Sequence, residues 1–290
     1  MSEQYIDTIQ QYINKMPSLS TTVTKVLEVC NRQDVSPNDL NRIISLDPVL
    51  AGNVLKLINS AYYALPNKIT SLTRAIIILG INTVKNLALS TAVMGAMKGR
   101  DSDSLLMDEF WTHSICVGVT AKVLASIAKI PVNQREEYFL AGLLHDLGKV
   151  PLAHCFGAQY AQCLRLCETQ NIDLHEAELQ VFGFNHQFCG ELIASKWKLN
   201  NSIIHVMKYH HELEKADKDH RLLIFSVAIA DLYANIFEVG SAGNRWLPEA
   251  SAVSVIGQAG NNNPVSWDVL LQQHDVIQEA IQKASVFLQV

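Results

Sequence analysis

A basic surplus is the first thing this chain lacks. Its 290 residues carry 23 lysines and arginines against 28 aspartates and glutamates, a formal net charge of −5. A bulk cationic footprint for nucleic acid is therefore absent, and no nucleic-acid partner is expected. No apolar run approaches the ~20 residues that a bilayer-spanning helix needs, so no membrane span is expected. The N-terminal MSEQYIDTIQQYINK lacks the basic-then-apolar order of a secretory signal. The six cysteines (Cys30, Cys116, Cys155, Cys163, Cys167 and Cys189) lack the spacing of a small disulfide-stapled domain. Most fall in apolar helical stretches, which reads as buried, reduced thiols in a cytoplasmic protein. Internal repeats, low-complexity tracts and strand patterns are missing as well. Charged residues make up only 18% and hydrophobic residues 49% of the chain, the composition of a folded globular protein.

What is present is helix. Tyr5, Ile6, Ile9, Tyr12 and Ile13 recur at helical spacing before Pro17 breaks the pattern. Ser36-Pro37 and Asp47-Pro48 each place an N-cap before a proline at the first helical position, and Ser71 and Asn82 are further N-cap candidates. Helices are expected at about 18–32, 36–46, 47–62, 71–79 and 82–98. A polar stretch at 97–104 (MKGRDSDS) marks a boundary, dividing an N-terminal helical subdomain over 1–98 from a second over 104–240. In the second, helices are expected at about 105–130, 135–147, 152–170, 173–183, 186–196, 201–213 and 219–238. Residues 240–265 read as a long loop, and the chain from Trp267 as a helix that closes the core, so 241–290 form the third segment.

The chemistry concentrates in the second subdomain. Glu109 and His113 lie four apart, hence on one helical face. His145-Asp146 end the apolar run AGLLHD, and Asp231 sits in FSVAIADLYANIF, where nearly every neighbour is apolar. His186, His210 and His211 follow the same habit. A buried carboxylate without a partner is strongly destabilising, and a metal cluster would satisfy several such groups at once. Each histidine taken singly reads as a satisfied or solvated side chain; the conjunction across separate helices is what points to a site. His154, His175, His205, His220 and His274 fall outside this set and read as structural. So do Trp111 and Trp197, as core aromatics, and Cys163 with Cys167, which share a helical face. The run DLHEAE at 173–178 reads as a capped helix start with acids near its positive end.

His113, His145-Asp146 and Asp231 resemble the H…HD…D pattern of the HD superfamily of metal-dependent phosphohydrolases. The first half narrows the likeness. MPSLSTTVTKVLEVC, IISLDPVLAGNVLKLINSAYYALPNKITSLTRAIIILG and INTVKNLAL, then AGLLHDLGK and FNHQFCGELIASKWKLNNSII, are similar to the HDOD family, an HD-related output module of bacterial signalling proteins, over about residues 16–238. The resemblance implies an all-α fold, an N-terminal multi-helix subdomain packed on an HD-like helical subdomain. The resemblance also implies a binding or regulatory module, since many HDOD relatives look catalytically degraded; here all four core positions are intact, and Lys149 of HDLGK is in place to meet a phosphate oxygen. His186, His210-His211 and Glu109 resemble the extra ligands of the HD-GYP cyclic-dinucleotide phosphodiesterases. The GYP signature itself is absent, with LEKADKDHR in its place.

Mixed imidazole and carboxylate donors suit iron, manganese, nickel or zinc better than calcium. Two such ions would clamp a phosphoryl group and supply a hydroxide nucleophile. In that arrangement Asp146 bridges, His113, His145 and Asp231 hold one ion, and His186 with His210 or His211 holds the other; His210 is the first choice. Two functions stay open. One is a cytoplasmic regulatory protein acting through a signalling partner or a nucleotide or other phosphoester ligand; the other is a working metal-dependent phosphohydrolase with Asp146 and Lys149 in the catalytic roles. A third, DNA reading by the helix–turn–helix-like DLNRIISLDPVLAGNVLKLINS, fails on chemistry. Its second helix offers only Lys56 among packing residues.

Overall fold

The computed structural model describes residues 2–30, 32, 34–244 and 267–290, and it is helical throughout, with no β-strand among the described residues. In the first half, α1 (Ser2–Lys15), α2 (Thr21–Cys30), α3 (Pro37–Ile44), α4 (Pro48–Ile58), α5 (Leu72–Leu79) and α6 (Ile81–Ala96) follow one another. The second half contains α7 (Met107–Ile127), α8 (Val132–Leu144), α9 (Lys149–Cys155), α10 (Gly157–Gln170), α11 (Leu174–Phe182), α12 (His186–Lys196), α13 (Asn201–Tyr209) and α14 (Arg221–Ile236). Two short helices, α15 (Trp267–Leu271) and α16 (His274–Ala284), close the chain. The loop expected over 240–265 lies, from residue 245 on, outside the described residues.

Local chemistry explains most starts. Ser36 and Asp39 form a reciprocal capping box around Pro37, which satisfies the first free N–H groups of α3. Asp47 caps α4 in the same way, accepting from the Leu50 N–H, and Ser71 accepts from the Arg74 N–H at the head of α5. Asn82 is not a cap. The helix starts one residue earlier, behind Gly80, whose φ of +88° suits a residue without a Cβ. The single helix expected over 152–170 is two, broken at Phe156, whose φ/ψ of −135°/47° is not helical. Tertiary packing explains the break, because the Phe156 ring is seated between Tyr5 of α1 (4.9 Å) and Phe182 of α11 (5.5 Å).

One hydrophobic cluster runs through both halves. Its axis is α7, packed on α8, α14 and α16. This 21-residue helix is apolar enough (mean hydropathy 1.3) to pass for a membrane span, which corrects the expectation that no apolar run reaches that length. It is a core helix: 72% of the apolar stretch is buried by its neighbours. The crossing of α7 and α8 depends on two glycines. A Cβ at Gly142 would stand 2.7 Å from the Gly118 backbone, and one at Gly118 would stand 2.6 Å from the Phe139 carbonyl oxygen. Backbone therefore meets backbone here, and His113 on α7 comes within reach of His145 at the end of α8, their rings 5.8 Å apart. The first half is tied on by α6, which packs against α8, and by α1, which packs against α9 and α12. Lys196 of α12 donates to the carbonyls of Ile13, Asn14 and Met16 at 2.6–2.9 Å.

Candidate metal centre

Five elements deliver the donors. His113 projects from the middle of α7; His145 caps the C-terminal end of α8, and Asp146 follows in the turn before α9. That turn needs Gly148, because any Cβ there would overlap the His186 carbonyl oxygen at 1.9 Å. The missing side chain is what lets the His145-Asp146 turn lie directly on the start of α12, where His186 is the first helical residue. His210 follows the last turn of α13, with His211 next to it, and Asp231 stands midway along α14. His113, His145, Asp146, His186 and His210 are at most 2% exposed and Asp231 6%.

Asp146 is the hub. Its Oδ2 lies 3.2 Å from His145 Nε2, 3.9 Å from His113 Nε2 and 2.6 Å from Lys149 Nζ. Its Oδ1 faces His186 Nε2 at 3.3 Å and His210 Nε2 at 3.5 Å. Asp231 Oδ1 is 3.0 Å from His113 Nε2 and 3.6 Å from His145 Nε2. The donors thus fall into two groups that share Asp146. One is His113, His145, Asp146 and Asp231; the other is Asp146, His186, His210 and His211, and in each the ligand atoms all lie within 4.8 Å of one another. Glu109 joins neither group: its side chain is exposed, a correction to its place in the expected ligand set. It shares a helical face with His113, but α7 turns that edge outward.

The hydrogen bonds fix which ring nitrogen faces inward. His145 Nδ1 lies 2.7 Å from the Gly142 carbonyl oxygen, His210 Nδ1 lies 2.9 Å from that of Val206, and His186 Nδ1 lies 2.7 Å from Glu178 Oε2. Carbonyls and carboxylates only accept, so each Nδ1 carries a proton and each Nε2 is the nitrogen that faces inward, free to coordinate once any proton on it is displaced. His186 Nε2 and His210 Nε2 face each other at only 3.2 Å. Asp146 Oδ1, His145 Nε2, both ring nitrogens of His113 and His211 Nε2 are buried without a hydrogen-bond partner. Unpartnered polar atoms converging from separate helices are costly when buried, and a divalent ion that displaces the ring protons resolves them together. The donor set therefore fits such an ion.

The charges agree with a centre prepared for cations. Burial opposes charge on Asp146, but His145 and Lys149 outweigh it and hold the carboxyl well below its ordinary range. Burial likewise opposes charge on Asp231, and the adjacent His113 and His145 imidazoles reverse the effect. His145 is pulled both ways: burial lowers it, but Asp146 and Asp231 raise it to about 10. His210 moves the other way, to about 4, because burial is reinforced by the neighbouring imidazoles. Lys149, 1% exposed, is held charged by Asp146 against the pull of burial.

Two further residues belong beside the centre. Glu178 is fully buried and holds His186 by its ring and by its backbone N–H, both at 2.7 Å. His175, expected outside the constellation, stacks on His211 at 4.4 Å with the rings 12° from parallel. Burial and the nearby imidazoles push it down to about 3. Trp111 and Trp197 are core residues. Burial pushes the Cys163 thiol up to about 12 and that of Cys167 to about 11, which suppresses thiolate chemistry in that pair.

The chain is similar over 98% of its length to a Geobacter sulfurreducens HDOD domain protein of unknown function, with 23% identity, a TM-score of 0.78 and 98% of that chain covered. It also resembles a Marinobacter aquaeolei VT8 protein provisionally assigned to signal transduction (22% identity, TM-score 0.69, 99% of this chain and 66% of that one). A Shewanella amazonensis SB2B protein provisionally assigned as a phosphohydrolase matches at 21% identity and TM-score 0.69, over 96% and 98% of the two chains. At these identities the likeness shows the fold. An uncharacterized Treponema pallidum (strain Nichols) protein is 24% identical over 224 residues, 77% of this chain but 43% of its own, so the chain spans less than half of that curated relative. The model of the HDOD domain matches residues 16–213, more than half of the chain, and the chain belongs to the HDOD domain family.

Proposed function

We propose that the chain is a regulatory HDOD module whose second half holds two divalent ions and which acts through a protein partner or a nucleotide ligand. The observation that carries the metal is the convergence of His186 Nε2 and His210 Nε2, 3.2 Å apart, on the unpartnered Asp146 Oδ1. His113, His145 and Asp231 would hold one ion, His186, His210 and His211 the other, and Asp146 would bridge. When bound, the ions supply Lewis acidity toward a phosphoryl oxygen.

Regulation is favoured by what the ligand set leaves unused. No residue of α1–α6 contributes to either group of donors, yet those helices are linked to the ligand-bearing ones. Tyr63, after α4, donates to Glu136 of α8 at 2.8 Å, and Lys122 of α7 pairs with Glu136 at 2.6 Å. The Lys122 ammonium also lies over the Tyr62 and Tyr63 rings, at 4.6 and 5.0 Å. Glu136 is 3% exposed, so this is a buried polar joint. It sits on the two helices that carry His113 and His145, where a change in metal occupancy would be felt by the first half.

The second reading is hydrolysis, and Lys149 is the observation that favours it. Its ammonium sits 2.6 Å from the shared carboxylate, within one side chain's swing of a phosphoester bound there. As it stands, Lys149 neutralises Asp146, which suits a resting regulator. The deciding experiment loads untagged protein with iron, manganese or zinc, measures bound metal, and offers nucleotides and cyclic dinucleotides. Metal uptake with ligand binding and no turnover supports regulation. Turnover abolished by Asp146→Asn supports the hydrolase, and absence of bound metal under all conditions refutes both.

A further inference from the structure

Outside the central donors, the described residues contain one more group with metal-ligand chemistry, His205, Asp217 and His220. His205 faces outward from α13, Asp217 lies in the connection after the 3-10 turn Leu213–Lys215, and His220 immediately precedes α14. We propose that these three side chains form a second, peripheral site for a zinc-class divalent ion, separate from the central cluster.

Two imidazoles from different elements converge on one carboxylate. His205 Nδ1 lies 2.6 Å from Asp217 Oδ2, and His220 Nδ1 lies 2.9 and 3.0 Å from the two Asp217 oxygens. The rings are 4.6 Å apart, and one ligand atom from each residue lies within 4.8 Å of the others. The contact of His205 with Asp217 is not a hydrogen bond. Its Nδ1 is buried and has no aligned hydrogen-bond partner despite the short separation. A buried ring nitrogen beside a carboxylate and without a hydrogen bond is an unsatisfied atom that a metal ion would take up. His220 is oriented from the backbone: its N–H donates to Asp217 Oδ1 at 2.8 Å, which fixes the Asp217–His220 turn.

Two nitrogens and one oxygen, with the side chains 25–41% exposed, leave coordination positions open to water. That donor set suits zinc, and also nickel or copper, whereas calcium and magnesium prefer oxygen donors throughout. The site's place gives it a role. Residues 212–220 join His210-His211 to α14, which carries Asp231, and an ion here would staple that connection to α13. It would order the stretch LEKADKDHR through a site that does not depend on the central ions.

The test uses the untagged full chain and zinc alone. Equilibrium dialysis followed by elemental analysis compares the native protein with a His205→Gln/His220→Gln variant, whose substitutions lie on the partly exposed surface. The proposal expects the variant to bind one zinc equivalent fewer, and cobalt substitution to lose the matching share of its visible absorption. It also expects zinc to slow amide exchange over residues 212–220 in the native chain and not in the variant. Equal stoichiometry in the two proteins overturns it. Loss of the central ions through Asp146→Asn should leave the peripheral equivalent in place, so failure of one site is distinguishable from failure of the other. If Asp217→Asn changes stability but not zinc stoichiometry, the cluster is an ion pair and the proposal falls.

Discussion

Glu178→Gln isolates one ion of the proposed pair. The substitution keeps the shape of a fully buried side chain and removes its charge. Glu178 Oε2 accepts two hydrogen bonds from His186, one from the ring Nδ1 and one from the backbone N–H, both 2.7 Å long. A bond to a charged acceptor contributes about 1.5–3 kcal/mol and one between neutral groups about 0.5–1.5 kcal/mol, so each loses about 1 kcal/mol. The ring bond matters for metal, because it keeps the proton on Nδ1 and the lone pair on Nε2. A glutamine that turned its NH2 toward Nδ1 would favour the opposite tautomer and close that donor. Groups that orient a metal-bound histidine typically change affinity by about 10–100-fold, or about 1.4–2.8 kcal/mol. The ion held by His186 should therefore bind ~10–100-fold more weakly. The ion held by His113, His145 and Asp231 should not change, since Glu178 touches none of them. Competition titration against a chromophoric chelator resolves the two classes. Equal weakening of both, or affinities unchanged within threefold of native, would refute the reasoning.

Other perturbations test neighbouring links. Lys149→Met removes the buried cation 2.6 Å from Asp146 and should cost about 3–5 kcal/mol in metal-free protein. Loaded protein should lose much less, because the ions replace the charge, and thermal unfolding with and without metal measures the difference. Gly142→Ala places a Cβ 2.7 Å from the Gly118 backbone, and overpacking of about 1–3 kcal/mol should lower the melting temperature. Metal uptake should release protons at neutral pH, since His145 holds its proton to about 10 without metal. Calorimetry in buffers of different ionisation enthalpy reads that release, and affinity should rise with pH. The stability that His145 gives the metal-free protein has the opposite sense: its folded value lies above the ordinary histidine value, so that contribution is complete below about 6.5 and disappears as pH climbs through 10. Urea titrations of metal-free protein across this window should show it. Lys122→Met leaves Glu136 buried without its cation and should cost about 3–5 kcal/mol if the joint is as dry as its burial indicates, as measured by the urea midpoint.

What could be read from residues alone follows from where the determining forces act. Helix starts at Ser36-Pro37 and Asp47-Pro48 are local chemistry and were legible as such. The break at Phe156 was not, because aromatic partners more than 20 residues away in sequence decide it. Convergence of His113, His145-Asp146, His186, His210 and Asp231 could be inferred because ionisable residues in apolar helices need partners, and helices offer few other ways to supply them. The same spacing rule placed Glu109 with His113, but a shared face does not say how far round the burial extends, and residue 109 lies beyond its edge. Glu178 was hidden in the opposite way. As an acid near a helix start it looked like charge beside the helix dipole. Its signal lay in periodicity: Leu174, Ala177, Glu178 and Phe182 form the buried stripe of α11, and a carboxylate on that stripe needs a donor as much as Asp231 does. The centre is therefore held at two levels, by donors that face the space for an ion and by a buried acid that decides which nitrogen of His186 faces it.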